Sequence, residues 1–118
     1  MRIRYYLQTH EILQAVLKIV VDEIKKRLIV CSPAVSNAQI GAISFIQHFG
    51  NTLNLHPHFH ILFADGIFSA ENDDLLFYEA ILTPDDIADT QDAIQKRVIK
   101  FFCKRGWFDQ ETTLKMLP

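Results

Sequence analysis

His56-Pro57-His58-Phe59-His60-Ile61-Leu62-Phe63 is the stretch from which the rest of the chain is read. A strand sends successive side chains to opposite faces. Phe59, Ile61 and Phe63 are therefore expected in the core, and His56, His58 and His60 together on the other face. Two imidazoles two residues apart on one strand can aim at a common point, and neutral imidazole is a good ligand for divalent metals. Pro57 has no amide to donate, so the strand should begin at an edge or a bulge, which keeps such a site open. The plainer alternative is that the histidines only decorate a polar sheet face. Spacing does not choose the metal either. An all-histidine site with a carboxylate suits zinc, whereas two histidines with an amide or acid oxygen beside a phosphate suit magnesium or manganese.

The flanks place this strand in a hairpin. Residues 40–49 read as a strand, Gly50-Asn51-Thr52 as a turn, and residues 55–63 as its antiparallel partner. Asp65-Gly66 signals a turn or bulge, with Ile67-Phe68 continuing a strand beyond it. Glu71-Asn72-Asp73-Asp74 is a further turn, and residues 75–80 a third expected strand.

Helices are expected on either side. Over residues 9–28, Leu13, Val16, Val20, Ile24 and Leu28 recur at steps of three or four and make one apolar stripe. Glu11 near its start and Lys25, Lys26 and Arg27 near its end suit the helix dipole. Thr83-Pro84-Asp85-Asp86 is a helix start, with a capping threonine, a proline at the first helical position and two acids at the positive end of the dipole. That helix is expected to reach Lys104, burying Ile87, Ile94, Val98 and Phe101, and to end at Gly106. Asp109 can cap a last short helix ending at Pro118. Helix, antiparallel strands and helices in this order predict an α+β layer.

Composition narrows the function. The 118 residues suit one small domain, and with 49% apolar residues a core needs no staples. No apolar run approaches the roughly 20 residues of a membrane span, and the N-terminus lacks a secretory pattern. Cys31 and Cys103 have no metal-ligand spacing and read as reduced thiols of a cytoplasmic protein. A net charge of −2 predicts no general attraction to nucleic acid. Charge is uneven, however, and Arg97, Lys100 and Lys104 share one face of the second helix, expected opposite its buried stripe. A solvated face is the ordinary reading of such a cluster; contact with DNA phosphates is the functional one. Trp107 and Phe108 can stack on bases, but packing against the sheet is their more ordinary use.

Residues 41–50, then Leu53-Asn54-Leu55-His56-Pro57-His58-Phe59-His60, then Asp65-Gly66-Ile67-Phe68, resemble in order the two-tyrosine rolling-circle transposases of bacterial insertion sequences, members of the HUH endonuclease superfamily. Weaker similarity covers Ile3-Arg4-Tyr5-Tyr6-Leu7, which looks like the family's segment before its first long helix, and residues 94–108. The resemblance implies a ferredoxin-like antiparallel sheet with helices packed on it. It also implies one divalent metal, Mg2+ or Mn2+, and cleavage of single-stranded DNA at insertion-sequence ends by a tyrosine that stays linked to the strand. On matching positions it makes His58 and His60 metal ligands, Gln47 the candidate third ligand and His56 a lesser one. Asp65 could orient a ligand or simply make the turn.

The sequence departs from the family in its tyrosines. Only Tyr5, Tyr6 and Tyr78 are present, and none is expected in the paired helical arrangement of the family's nucleophiles. Residues 1–118 are therefore expected to be one partial catalytic domain, a fragment with the metal strand but no catalytic tyrosine, which alone neither nicks nor transposes DNA. Two other functions compete: a small histidine-site metalloenzyme, favoured by tight zinc binding without DNA affinity, and a non-catalytic binding module, favoured by an exposed apolar surface.

Overall fold

The computed structural model describes residues 2–49 and 56–105, with side chains over 10–45 and 60–105. The expected turn at 50–52, the helix stop at Gly106, the last short helix and the roles of Trp107 and Phe108 lie outside the described residues. The elements in chain order are α1 (Arg2–Val30), β1 (Ala42–Phe49), β2 (His56–Phe63), β3 (Gly66–Glu71), β4 (Asp74–Glu79) and α2 (Pro84–Lys104). This is the expected α+β order with antiparallel strands. Among the described residues no helix is long and apolar enough to cross a membrane. The chain divides into two compact units, residues 1–27 with 83–118, and residues 28–82.

In the first unit, α1 begins seven residues earlier than its apolar stripe indicates. Tyr5 and Tyr6 lie inside the helix rather than before it. The stripe could not reveal this, because it runs only from Leu13 to Leu28 and carries no signal for where the helix begins upstream. α2 begins as expected. The Thr83 hydroxyl accepts a hydrogen bond from the Asp86 amide at 3.3 Å, and the Asp86 carboxylate accepts one from the Thr83 amide at 2.9 Å. This reciprocal box satisfies two donors that the first turn leaves open, and a cap of this kind contributes about 1 kcal/mol.

Ion pairs join the two helices. Arg27 reaches Asp86 at 3.2 Å and Asp89 at 3.8 Å, and Arg97 reaches Glu23 at 2.9 Å and Asp22 at 3.8 Å. Later residues of α1 meet earlier residues of α2, so the helices run antiparallel. Ile19 and Ile99 are buried, whereas Ile87, expected in the core, is 54% exposed. The inward face of α2 runs through Asp86, Thr90, Ile94, Arg97, Val98 and Phe101, all shielded at least in part. Arg97 therefore stands on this face and not opposite it. Polar groups are tolerated there because each is partnered: Asp86 and Arg97 by α1, and Thr90 by the Asp86 carbonyl at 2.8 Å.

In the second unit, β1 and β2 pair from Ala42 opposite Phe63 to Phe49 opposite His56, as the hairpin reading expects. β3 and β4 form a second ribbon, from Gly66 opposite Glu79 to Glu71 opposite Asp74. Asn72 and Asp73 have φ of 49° and 67°, the left-handed conformation that a type I′ hairpin turn requires at both central positions. A bridge links the ribbons. Gln39 and Phe68 exchange backbone hydrogen bonds of 2.9 and 2.7 Å, while the Ala64 amide donates to the Gly41 carbonyl at 2.9 Å. Between the Ala42–Phe63 and Gln39–Phe68 pairs, three steps on one strand face five on the other. Asp65-Gly66 is thus an insertion that bends the chain from β2 into β3.

Leu28, Ile67, Ser69 and Ala80 are the buried side chains among the described residues of this unit. The Ser69 hydroxyl is satisfied by the Ser36 carbonyl at 2.8 Å. The β1–β2 ribbon is less covered than the alternation predicts. Ile61 is only half-buried and Phe63 is 41% exposed. Alternation in a sequence tells which residues share a face; a second layer must exist for that face to be buried.

Candidate functional site

The site is the β1–β2 ribbon, and its geometry follows from register. Directly opposed residues of an antiparallel pair share a face, and residues two apart on one strand share it as well. Gln47 stands opposite His58, Phe45 opposite His60 and Phe49 opposite His56. Positions 45, 47 and 49 of β1 and 56, 58 and 60 of β2 therefore belong to one face of the ladder. The side chains of Gln47, His56 and His58 lie outside the described residues, so the structure gives these three by backbone position alone.

His60 is described in full. Its side chain is exposed, and its ring stacks on Phe45, with centroids 5.0 Å apart and planes 10° from parallel. Stacking engages the face of an imidazole, whereas its nitrogens bind in the ring plane. The contact orients His60 without using the atoms that bind. Phe45 is the member of the site that sequence reasoning missed. Its signal was the register itself, which places residue 45 across from residue 60 once the hairpin is aligned. Among the described residues, no three His, Cys, Asp or Glu side chains are grouped to hold a metal ion. Asp65 stands at the bend, where its carbonyl accepts a hydrogen bond from the Ala80 amide at 2.8 Å, so its backbone shapes the insertion.

The three basic residues of α2 are not equivalent. Arg97 is held by Glu23 and Asp22. Lys100 and Lys104 are exposed and, among the described residues, have no ion pair. Burial works to raise the Glu23 carboxyl, but hydrogen bonds from Arg97 and Lys26 and their positive charges outweigh it, and the group lies below its ordinary value of 4.5. A carboxyl depressed on folding adds stability that is complete above its unfolded value and is lost as pH falls through its folded one. The acid limb of the stability profile below about pH 4.5 should therefore be shallower in Glu23→Gln than in the wild-type chain. With the Glu23 side chain 11% and Arg97 39% exposed, the substitution should cost about 1 kcal/mol at neutral pH. Thermal melts across this range check it, and an unaltered acid limb would refute the role given to the pair.

The ribbon and helices define an α+β protein with histidines at alternate positions of one antiparallel pair. Residues 41–118 match the family model described as "Putative transposase", and the chain belongs to this transposase family. DNA is the partner that membership implies. No curated protein and no solved structure matches the chain.

Proposed function

We propose that the β1–β2 ribbon is the metal-holding part of a transposase that acts on single-stranded DNA at the ends of an insertion sequence. The observation that carries this reading is the register: Gln47 opposite His58, with His60 two positions along on the same face, all within the family-matched region. An amide oxygen and two imidazoles form a donor set of mixed hardness that suits Mg2+ or Mn2+ beside a phosphate. The exposure of His60 agrees with a ligand set open to a bulky substrate. His56 shares the face but sits at the loop end of the strand, opposite Phe49, and takes a lesser place.

When bound, a divalent ion there would polarise the oxygens of the scissile phosphate and offset charge that builds in the transition state. The chain's own residues do the positioning. The ladder fixes the spacing of residues 47, 58 and 60, and Phe45 holds the His60 ring by its face. The attacking group in this chemistry is a tyrosine hydroxyl. None of Tyr5, Tyr6 or Tyr78 is assigned that role: the first two lie upstream of the family-matched residues, whereas the resemblance places the nucleophiles downstream, and Tyr78 is half-buried in β4 opposite Ile67.

Mn2+ titration followed by the electron paramagnetic resonance signal of the free ion tests the proposal. The wild-type chain should take up the ion at one site. His58→Ala and His60→Ala should each weaken uptake at least tenfold or so, and Gln47→Ala less, in proportion to its weaker donor. Undiminished uptake in the His58→Ala/His60→Ala double variant would overturn the site.

A further inference from the structure

The first unit contains an open groove of about 350 Å³, lined by Ala15 and Ile19 of α1 and by Arg97, Lys100, Phe101 and Lys104 of α2. We infer that this groove binds single-stranded DNA, with Lys100 and Lys104 holding phosphates and the Ile19–Phe101 floor supporting a base, while Arg97 is a strut between the helices and not a DNA contact. The choice of ligand rests on the transposase reading; the division of roles rests on the geometry.

Three observations support it. First, the groove combines an apolar floor with cations on its lip, the pairing that single strands require, since each nucleotide offers a phosphate and an exposed base face. A duplex hides its bases and would leave the floor unused. Second, the charges are free to act. Lys100 and Lys104 are exposed and, among the described residues, have no carboxylate partner for an incoming phosphate to displace. Lys96, one turn earlier, is by contrast engaged by Asp92 at 3.8 Å. Third, Arg97 is engaged twice, by Glu23 at 2.9 Å and Asp22 at 3.8 Å, so moving it to a phosphate would strip the mostly shielded Glu23 carboxylate of its shorter ion pair and leave it only the exposed Lys26 at 3.3 Å. The net charge of −2 does not oppose this local assignment, because screening limits each charge to about 8 Å at physiological salt.

The test is fluorescence anisotropy of a labelled twelve-nucleotide oligo-dT with the full chain, between roughly 50 and 200 mM KCl. EDTA is present throughout, so that a metal on the ribbon contributes nothing. Each phosphate contact to a single strand contributes about 0.7 to the slope of log affinity against log salt. Lys100→Gln/Lys104→Gln should therefore lower the magnitude of the slope by about 1.4. Phe101→Leu should weaken binding about 5- to 150-fold at an unchanged slope. Arg97→Gln should lower the melting temperature and leave the slope alone. Circular dichroism of each variant confirms that it folds, and the two exposed lysines provide a reading if Phe101→Leu does not. No binding by the wild-type chain, an unchanged slope in the double lysine variant, or equal affinity for a twelve-pair duplex would each overturn the groove. None of these results touches Mn2+ uptake, which judges the ribbon separately.

Discussion

Gly66→Ala should lower the melting temperature of the chain by roughly 10–15 °C, the equivalent of about 3 kcal/mol. The reason is a close approach of backbones. A Cβ at Gly66 would fall on the Tyr78 carbonyl oxygen and within 2.7 Å of the Phe77 ring. A ring can turn, but the carbonyl belongs to β4, whose ladder with β3 begins at this pair, Gly66 opposite Glu79. Relief would require opening the first rung of the ribbon or shifting the bend that leads from β2. φ at Gly66 is not left-handed, so the requirement is for space and not for conformational freedom. Gly41→Ala is the control. Its Cβ would meet the Phe68 ring edge at 3.1 Å, a contact that a side chain can yield by a few tenths of an ångström. That variant should melt within about 4–8 °C of wild type, corresponding to about 1 kcal/mol or less. Melts of the two, followed by circular dichroism, make the comparison. If Gly66→Ala melts as wild type does, the bend is not held by this approach. Because the insertion at Asp65-Gly66 sets where β2 ends, Gly66→Ala should also blunt Mn2+ uptake, although no ligand is altered.

The same glycine marks how far the sequence could be read. Asp65-Gly66 was legible as a turn or bulge because small and acidic residues signal irregular backbone locally. That a carbonyl from residue 78 stands over it was not, since the approach depends on the pairing of two strands. The pattern repeats elsewhere. Thr83-Pro84-Asp85-Asp86 specified its cap within four residues, and Glu71-Asn72-Asp73-Asp74 its turn, so both appear where local chemistry puts them. Arg97 was placed on a solvated face because its partners are 74 and 75 residues away along the chain, at Glu23 and Asp22. Phe45 was missed for a similar reason: its stack with His60 follows only when the hairpin register is known. In the candidate site, the alternation of 56, 58 and 60 was legible from period alone. Gln47 is a candidate ligand by resemblance alone; that it faces His58 follows from the ladder.

Leu28→Ala and Ile87→Ala separate the apolar stripe of the sequence from the core that forms. Leu28 ends the apolar stripe of α1, and Ile87 opens the stripe of α2 that the sequence expects to be buried. Leu28 is 1% exposed, at the last turn of α1, where its carbonyl also accepts the Ser32 hydroxyl at 2.6 Å. Ile87 is 54% exposed, on the first turn of α2 beside the inward-facing Asp86. Truncating a buried leucine removes its transfer free energy and leaves a cavity that neighbours fill only in part, at a cost of about 3–5 kcal/mol. Truncating a half-exposed isoleucine removes little, and the higher helix propensity of alanine offsets part of that, so the net should stay within about 1 kcal/mol. Urea melts of the two variants give the difference directly, and a slope unchanged from wild type certifies that each midpoint reports stability alone. Equal losses would mean that Ile87 is covered in solution and that the inward face of α2 is rotated toward it. Such a rotation would also carry Arg97 away from Glu23, and the groove assigned to Lys100 and Lys104 would lose the strut that sets its width.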